Sequence, residues 1–342
     1  MCEIDDIRDT KDFKGISFSK FKKTDVQKQF VKSVLDSAIE PACYWGCELI
    51  CAGHFKDLWD SIILIFAKHI HSANPKIAVY LDRRLAVFID ILNNGYLSNE
   101  LRMRNNEKIR KMFAEIISIV TFSKKNHPFE EIKVKLELTQ ETKLKAPDLT
   151  FATCFKKDPK QLFVPLNEFA YALKMKNIYD ACYWITWFIE YDCNCRSNKT
   201  PLLIERRTFL KNLNQNVAWL IWDTILEASK NAETIVTTII QSLLNIFAKK
   251  YSHAENKKKM FIFYFAVSLL SGPNQYSNIS DNMDEVNAVV DNIHSIYKQI
   301  KVNEVSPNTD YLFTGVKNTN LEKTIEKLEK MDSLTNIFIP RI

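Results

Sequence analysis

The stretch Glu40-Pro41-Ala42-Cys43-Tyr44-Trp45-Gly46-Cys47-Glu48-Leu49-Ile50-Cys51-Ala52-Gly53-His54 decides how the chain is read. Its apolar residues run almost without a break, so it predicts a short helix buried on nearly every side. Pro41 suits the first turn, where its missing N–H would have no intrahelical partner anyway, and Glu40 sits near the positive end of the helix dipole. Gly53 supplies a residue able to adopt the left-handed conformation that stops a helix. His54-Phe55-Lys56-Asp57-Leu58-Trp59-Asp60 opens the next one.

A near copy, Asp180-Ala181-Cys182-Tyr183-Trp184-Ile185-Thr186-Trp187-Phe188, recurs 139 positions later. Leu58-Trp59-Asp60-Ser61-Ile62 returns 163 positions on as Ile221-Trp222-Asp223-Thr224-Ile225. Ile65-Phe66-Ala67-Lys68 returns 181 positions on as Ile246-Phe247-Ala248-Lys249. Three matches in one order, with growing offsets, predict a duplicated multi-helix unit over 24–123 and 165–301, the second copy carrying insertions. Cys43, Tyr44, Trp45 and Trp59, with Cys182, Tyr183, Trp184 and Trp222, are then the repeated core positions. A buried Trp fills space between helices and calls for a partner for its N–H.

Glycine is scarce, only six in 342 residues, which argues against tight-turned sheets and against phosphate-cradling loops. The predicted class is all-α. The net charge of +6 permits an acidic partner without requiring one. Cys43, Cys47 and Cys51 line up on one helix face, too parallel for disulfides, and read as small apolar residues in a reducing compartment. Cys193 and Cys195 lie too close for an ordinary zinc pair, so no metal and no cofactor is expected. The N-terminus is charged, unlike a signal peptide, and the longest apolar run, 260–270, is too short to span a bilayer.

Along the chain, 1–23 reads as a flexible or docking arm, followed by helices at 24–39, 55–71 and 75–92 and one long helix from 98 or 99 to 122. In the junction 124–164, Ile132-Lys133-Val134-Lys135-Leu136-Glu137-Leu138 alternates with period two, which predicts a strand, with 149–155 as a hairpin partner. The second copy shows helices at 165–175 and 178–191, a polar loop at 193–200, and a helix from Pro201. Further helices are expected at 216–230, 232–250, 256–271 and 283–300. The tail 302–342 is polar, with a short helix near 321–331. It closes on Ile337-Phe338-Ile339-Pro340-Arg341-Ile342, an apolar peptide of the kind that docks on its own protein or on a partner.

No arrangement for nucleophilic, acid–base or metal chemistry stands out. His54, His69 and His71 lack ligand spacing, and Glu130-Glu131 sit in a charged loop, so the chain reads as non-enzymatic. The candidate partner-binding residues are basic: Arg102, Arg104, Lys108, Arg110 and Lys111 in the first copy, Arg206 and Arg207 in the second. Such groups suit nucleic acid, lipid headgroups or an acidic protein when they share one face.

Ser19-Lys20-Phe21-Lys22-Lys23-Thr24-Asp25-Val26, the Glu40 and Ala181 stretches, Asn74-Pro75-Lys76 and the run 102–110 together resemble a family of proteins encoded by nucleocytoplasmic large DNA viruses. The likeness covers roughly 17–230, and the chain's abundance of Lys, Asn and Ile suits their AT-rich genomes. It implies a helical virion protein, a minor capsid or scaffold component whose partners are other capsid or virion proteins or the inner membrane surface. The implied location is the virion and, during assembly, the virus factory in the host cytoplasm. A nucleic-acid-binding accessory of viral replication or transcription is the alternative.

Overall fold

The computed structural model of the protein describes residues 3–97, 99–136, 144–272, 274, 276 and 278–305. Its helices are α1 (Lys23–Leu35), α2 (Ile39–Cys51), α3 (Phe55–Ile65), α4 (Ile77–Asn93), α5 (Glu107–Phe122) and α6 (Phe163–Lys174). They continue with α7 (Ile178–Ser197), α8 (Val217–Ser229), α9 (Thr234–Ala248), α10 (Glu255–Lys258), α11 (Met260–Ser271) and α12 (Met283–Lys301). The described residues contain no strand, and the protein is all-α.

α2 is the pivot of the first half. Its flanks bury Cys43, Cys47, Leu49, Ile50 and Cys51 against α1, α3 and α5. Gly46 lets those neighbours close in: a Cβ there would lie 2.5 Å from Cδ1 of Ile117. Gly53, at φ +75, ends the helix in a Schellman motif, with His54 N–H donating to the Leu49 carbonyl at 2.8 Å and Gly53 N–H to Ile50 at 3.0 Å.

α7 holds the same place in the second half, against α6, α8 and α11. The element orders α1-α2-α3-α4-α5 and α6-α7-α8-α9-α11 share their neighbour pattern, and the halves meet where α4 packs on α9. Tyr44 and Trp45 form a T-shaped pair at 5.1 Å, and Tyr183 and Trp184 form another at 5.3 Å. Trp59 packs on Phe88 of α4 and Phe113 of α5, just as Trp222 packs on Phe247 of α9 and Phe263 of α11. This geometry makes Phe247 the counterpart of Phe88. The sequence match of Ile65-Phe66-Ala67-Lys68 with Ile246-Phe247-Ala248-Lys249 therefore joins unlike places, one at the end of α3 and one at the end of α9. The Nε1 atoms of Trp59 and Trp222 find no hydrogen-bond partner among the described residues, contrary to the expectation for buried indoles.

Several boundaries differ from expectation. The long helix at 98–122 is divided: Glu100–Asn105 forms a 3₁₀ turn, and Asn106 caps α5 by accepting the Ile109 N–H at 3.2 Å. α7 runs through the expected loop to Ser197, supported by the Asp192–Arg196 ion pair at 2.8 Å. No helix follows Pro201; Ile204 and Arg207 instead donate backbone N–H groups to Gln215 and Asn214.

The expected strand does not form over 132–136, and 137 and 138 lie outside the described residues. Its alternation has another cause. Ile132, Val134 and Leu136 pack inward on the helical core while Lys133 and Lys135 face solvent, so the segment is an extended strap with no partner strand among the described residues. The partner proposed at 149–155 is likewise irregular, pinned by Asn167, which accepts the Phe151 and Ala152 N–H groups.

The arm 3–22 folds onto its own body. Phe13 and Phe18 are fully buried and stack at 5.9 Å, with the Arg8 guanidinium 4.8 and 4.7 Å from the two rings. The buried Glu48 carboxylate accepts both the Ser19 N–H and its hydroxyl. α12 crosses back from the second half to pack on α5 and α2. Its end is stitched to the arm: Val305 N–H donates to Asp6 at 2.9 Å, and Ile7 N–H donates to the Val305 carbonyl at 3.2 Å. The expected helix at 321–331 and the apolar peptide at 337–342 lie outside the described residues.

Candidate functional site

Where the halves meet, α3 and α4 face the end of α9 and α10 across a narrow cleft with about 60 Å³ of free room. Its walls are apolar: Phe55, Trp59, Ile63, Leu85, Phe88 and Ile246. The 3.6-residue period puts Phe55, Trp59 and Ile63 on one stripe of α3, and Leu85 and Phe88 on one stripe of α4.

Charged groups collect at the rim. Glu255 is 2% exposed and receives Lys56 at 3.2 Å and Lys259 at 3.5 Å. Lys259 also donates to the Phe247 and Lys249 carbonyls, both at 3.2 Å, capping α9 from the side. Burial holds the Lys259 ammonium below its ordinary pKa, with Glu255 and Asp60 opposing. The half-buried Asp60 carboxylate accepts no hydrogen bond from a described residue. Burial, reinforced by the negative charge of Glu255, raises its pKa above the usual carboxylate range, and Lys56, Lys259 and Lys258 pull it back. An apolar slot beside a half-buried carboxylate that accepts no hydrogen bond from a described residue is a binding arrangement, suited to a ligand with an apolar group next to a cation.

The candidate partner-binding residues do not share one face. Arg110 is fully buried: Nε donates to the Arg104 carbonyl at 2.6 Å, Nη2 to Asn105 at 2.9 Å, and the guanidinium lies 4.0 Å from the Tyr297 ring centroid. Arg104 is 6% exposed and reaches the carbonyls of Cys51 and Asp6. Arg207 is 3% exposed, with two parallel bonds to Asp158 at 2.9 and 3.0 Å and a third to Asp223 at 2.9 Å. These three are internal ties, not contact groups for a partner. Arg102, Lys108 and Arg206 are exposed, and Lys111 pairs with Glu107 at 2.7 Å.

Of the repeated core positions, Cys43, Cys182, Tyr183, Trp184, Trp59 and Trp222 are buried, while Tyr44 and Trp45 are half-buried beside Phe21 of the arm. Burial pushes the Cys43 thiol up to about 12 and raises that of Cys182 as well, which leaves both unreactive. From sequence Asp60 stands out only as half of the Trp59-Asp60 pair repeated at Trp222-Asp223, with a structural role expected, and Glu255 does not stand out.

Among the described residues no group of His, Cys, Asp and Glu is placed to hold a metal ion, and no helix is long and apolar enough to cross a membrane. Comparison of the chain with protein-family models, with curated proteins and with solved structures returns no match.

Proposed function

We propose that the protein is a non-enzymatic structural and interaction protein, a minor capsid or virion scaffold component of a large DNA virus. The observation that carries the scaffold reading is how its buried charges are used. Arg207 ties 154–158 and 205 to α8, Glu48 ties the arm to α2, and Arg110 ties α5 to the 3₁₀ turn before it and to α12. Such paired groups hold segments in one register, as a rigid brace requires. The viral assignment rests on the sequence resemblance. The partners are then capsid or virion proteins, or the inner membrane surface.

Quantitative mass spectrometry of purified particles tests the proposal. A fixed ratio to the major capsid protein, kept in DNA-depleted shells, is the expected result. Absence from particles together with abundance in infected-cell extracts would sink it. The alternative as a nucleic-acid-binding accessory has less to draw on, since three of its seven basic side chains are inside the body. At low salt we expect no salt-sensitive affinity for DNA or RNA.

A further inference from the structure

The cleft beside Trp59 is not an automatic result of the helix arrangement. Its counterpart around Trp222 is sealed, with Trp222 and Phe247 both fully buried, whereas Trp59 and Phe88 line an open slot. Lys56 and Lys259 are bonded to Glu255, so Asp60 is the half-buried carboxylate of the slot that makes no hydrogen bond or ion pair with a described residue, even though both lysines lie near enough to favour its charge. Asp60 and Glu100 come from the first half; Lys249 and Lys250, on the second-half side, make no ion pair with a described residue. A cation arriving on the first-half side, beside an apolar side chain, would fill the slot and relieve Asp60 together.

One segment of the chain has that chemistry. Ile337-Phe338-Ile339-Pro340-Arg341-Ile342 is apolar apart from a single cation, and its proline favours an extended backbone at Ile339. Its reach is sufficient. Val305 is held by Asp6, the Asp6 carbonyl accepts Arg104 of the 3₁₀ turn Glu100–Asn105, and Glu100 stands at the cleft. With the helix expected near 321–331 and coil on either side of it, a linker of the length of 306–336 would span on the order of 30 Å on average, and an intramolecular partner at that range competes at millimolar effective concentration.

We propose that 337–342 of the same chain occupies this cleft, with a branched apolar side chain in the slot and the Arg341 guanidinium on Asp60. This does not depend on the viral reading. The test places the photo-crosslinking amino acid p-benzoylphenylalanine at position 338 of the full chain, followed by irradiation and mass-spectrometric mapping. The expected product is an intramolecular crosslink to 55–63 or 85–89, reduced about tenfold by Ile89→Glu, a loss equivalent to about 1.4 kcal/mol. Should Ile89→Glu unfold by circular dichroism, Asp60→Lys at the half-exposed rim replaces it, with the same reduction expected. A crosslink between two copies would make a second copy the occupant and overturn the assignment. So would a crosslink elsewhere on the body, no crosslink, or a yield unchanged in a folded cleft variant.

Discussion

At Gly46, helix propensity and packing pull in opposite directions. Alanine would favour the helix by about 1 kcal/mol, but its Cβ would press on Cδ1 of Ile117 at 2.5 Å, and overpacking costs about 1–3 kcal/mol. Gly46→Ala should therefore destabilise the protein by about 1 kcal/mol in urea unfolding, and Ile117→Val should reverse the sign. The two adjacent arginines of the second half behave oppositely for a similar reason of place. Arg207→Ala leaves Asp158 buried without its partner and should cost about 3–5 kcal/mol, whereas Arg206→Ala should fall within about 0.5 kcal/mol of the parent. Two titrations should also be visible. Asp60, raised by burial and Glu255, stabilises the fold only while protonated, an effect complete below its ordinary 3.8 and lost as pH rises through the higher folded value. With Arg341→Ala as the parent, where no guanidinium reaches the carboxylate, Asp60→Asn should thus melt about 1–2 °C higher at pH 7, with the gap closing near pH 4. His71 is the reverse case. Burial against Phe129 and Phe265 lowers its pKa, so stability held above the ordinary 6.5 is lost as pH falls below it, and His71→Gln should flatten that part of the melting curve.

At the scale of elements, α1 and α6 end alike. Ser37 and Lys176 both take the left-handed conformation, at φ +56, and the next residue donates its N–H back to the carbonyl of Ser33 or Ala172 at 2.9 Å. A side chain in that conformation costs about 1 kcal/mol, so Ser37→Gly and Lys176→Gly should each stabilise by up to that amount, measured by denaturant midpoint. These two positions are again 139 apart, and Gly53, the Cys-Tyr-Trp runs and the apolar stripes were legible because helix signals are local. What could not be read depended on distant partners. A period of two reports a one-sided extended segment and says nothing about a neighbouring strand, so 132–136 looked like part of a sheet. A row of arginines reports charge without depth: Asp158, which draws Arg207 inside, lies 49 residues away. The cleft was hidden for the same reason, since Asp60 and Glu255 come from different halves.

At the scale of the molecule, the two halves share one continuous core, through α4 on α9 and through Phe66 against Phe265 at 5.3 Å. The arm and the end of α12 close the chain on itself through Asp6, a carboxylate whose bonds to Arg8 and to the Val305 N–H outweigh burial and hold its pKa below the ordinary value. Asp6→Ala should loosen 3–8 and 301–305 together, seen as faster amide exchange in both while α2 stays protected.

The return of α12 also sets a timetable. The face of α2 and α5 that receives Tyr297 and Ile300 is made early, but its cover is encoded about 180 residues later, beyond the whole second half. At ordinary elongation rates of 5–20 residues per second, the first half waits on the order of 10–40 s on the ribosome with that apolar surface bare. A nascent chain stalled after α11 should bind holding chaperones, and one stalled after α12 has cleared the exit tunnel should release them. The order in which this protein is made thus leaves it vulnerable for most of its synthesis, and the last described helix ends the exposure.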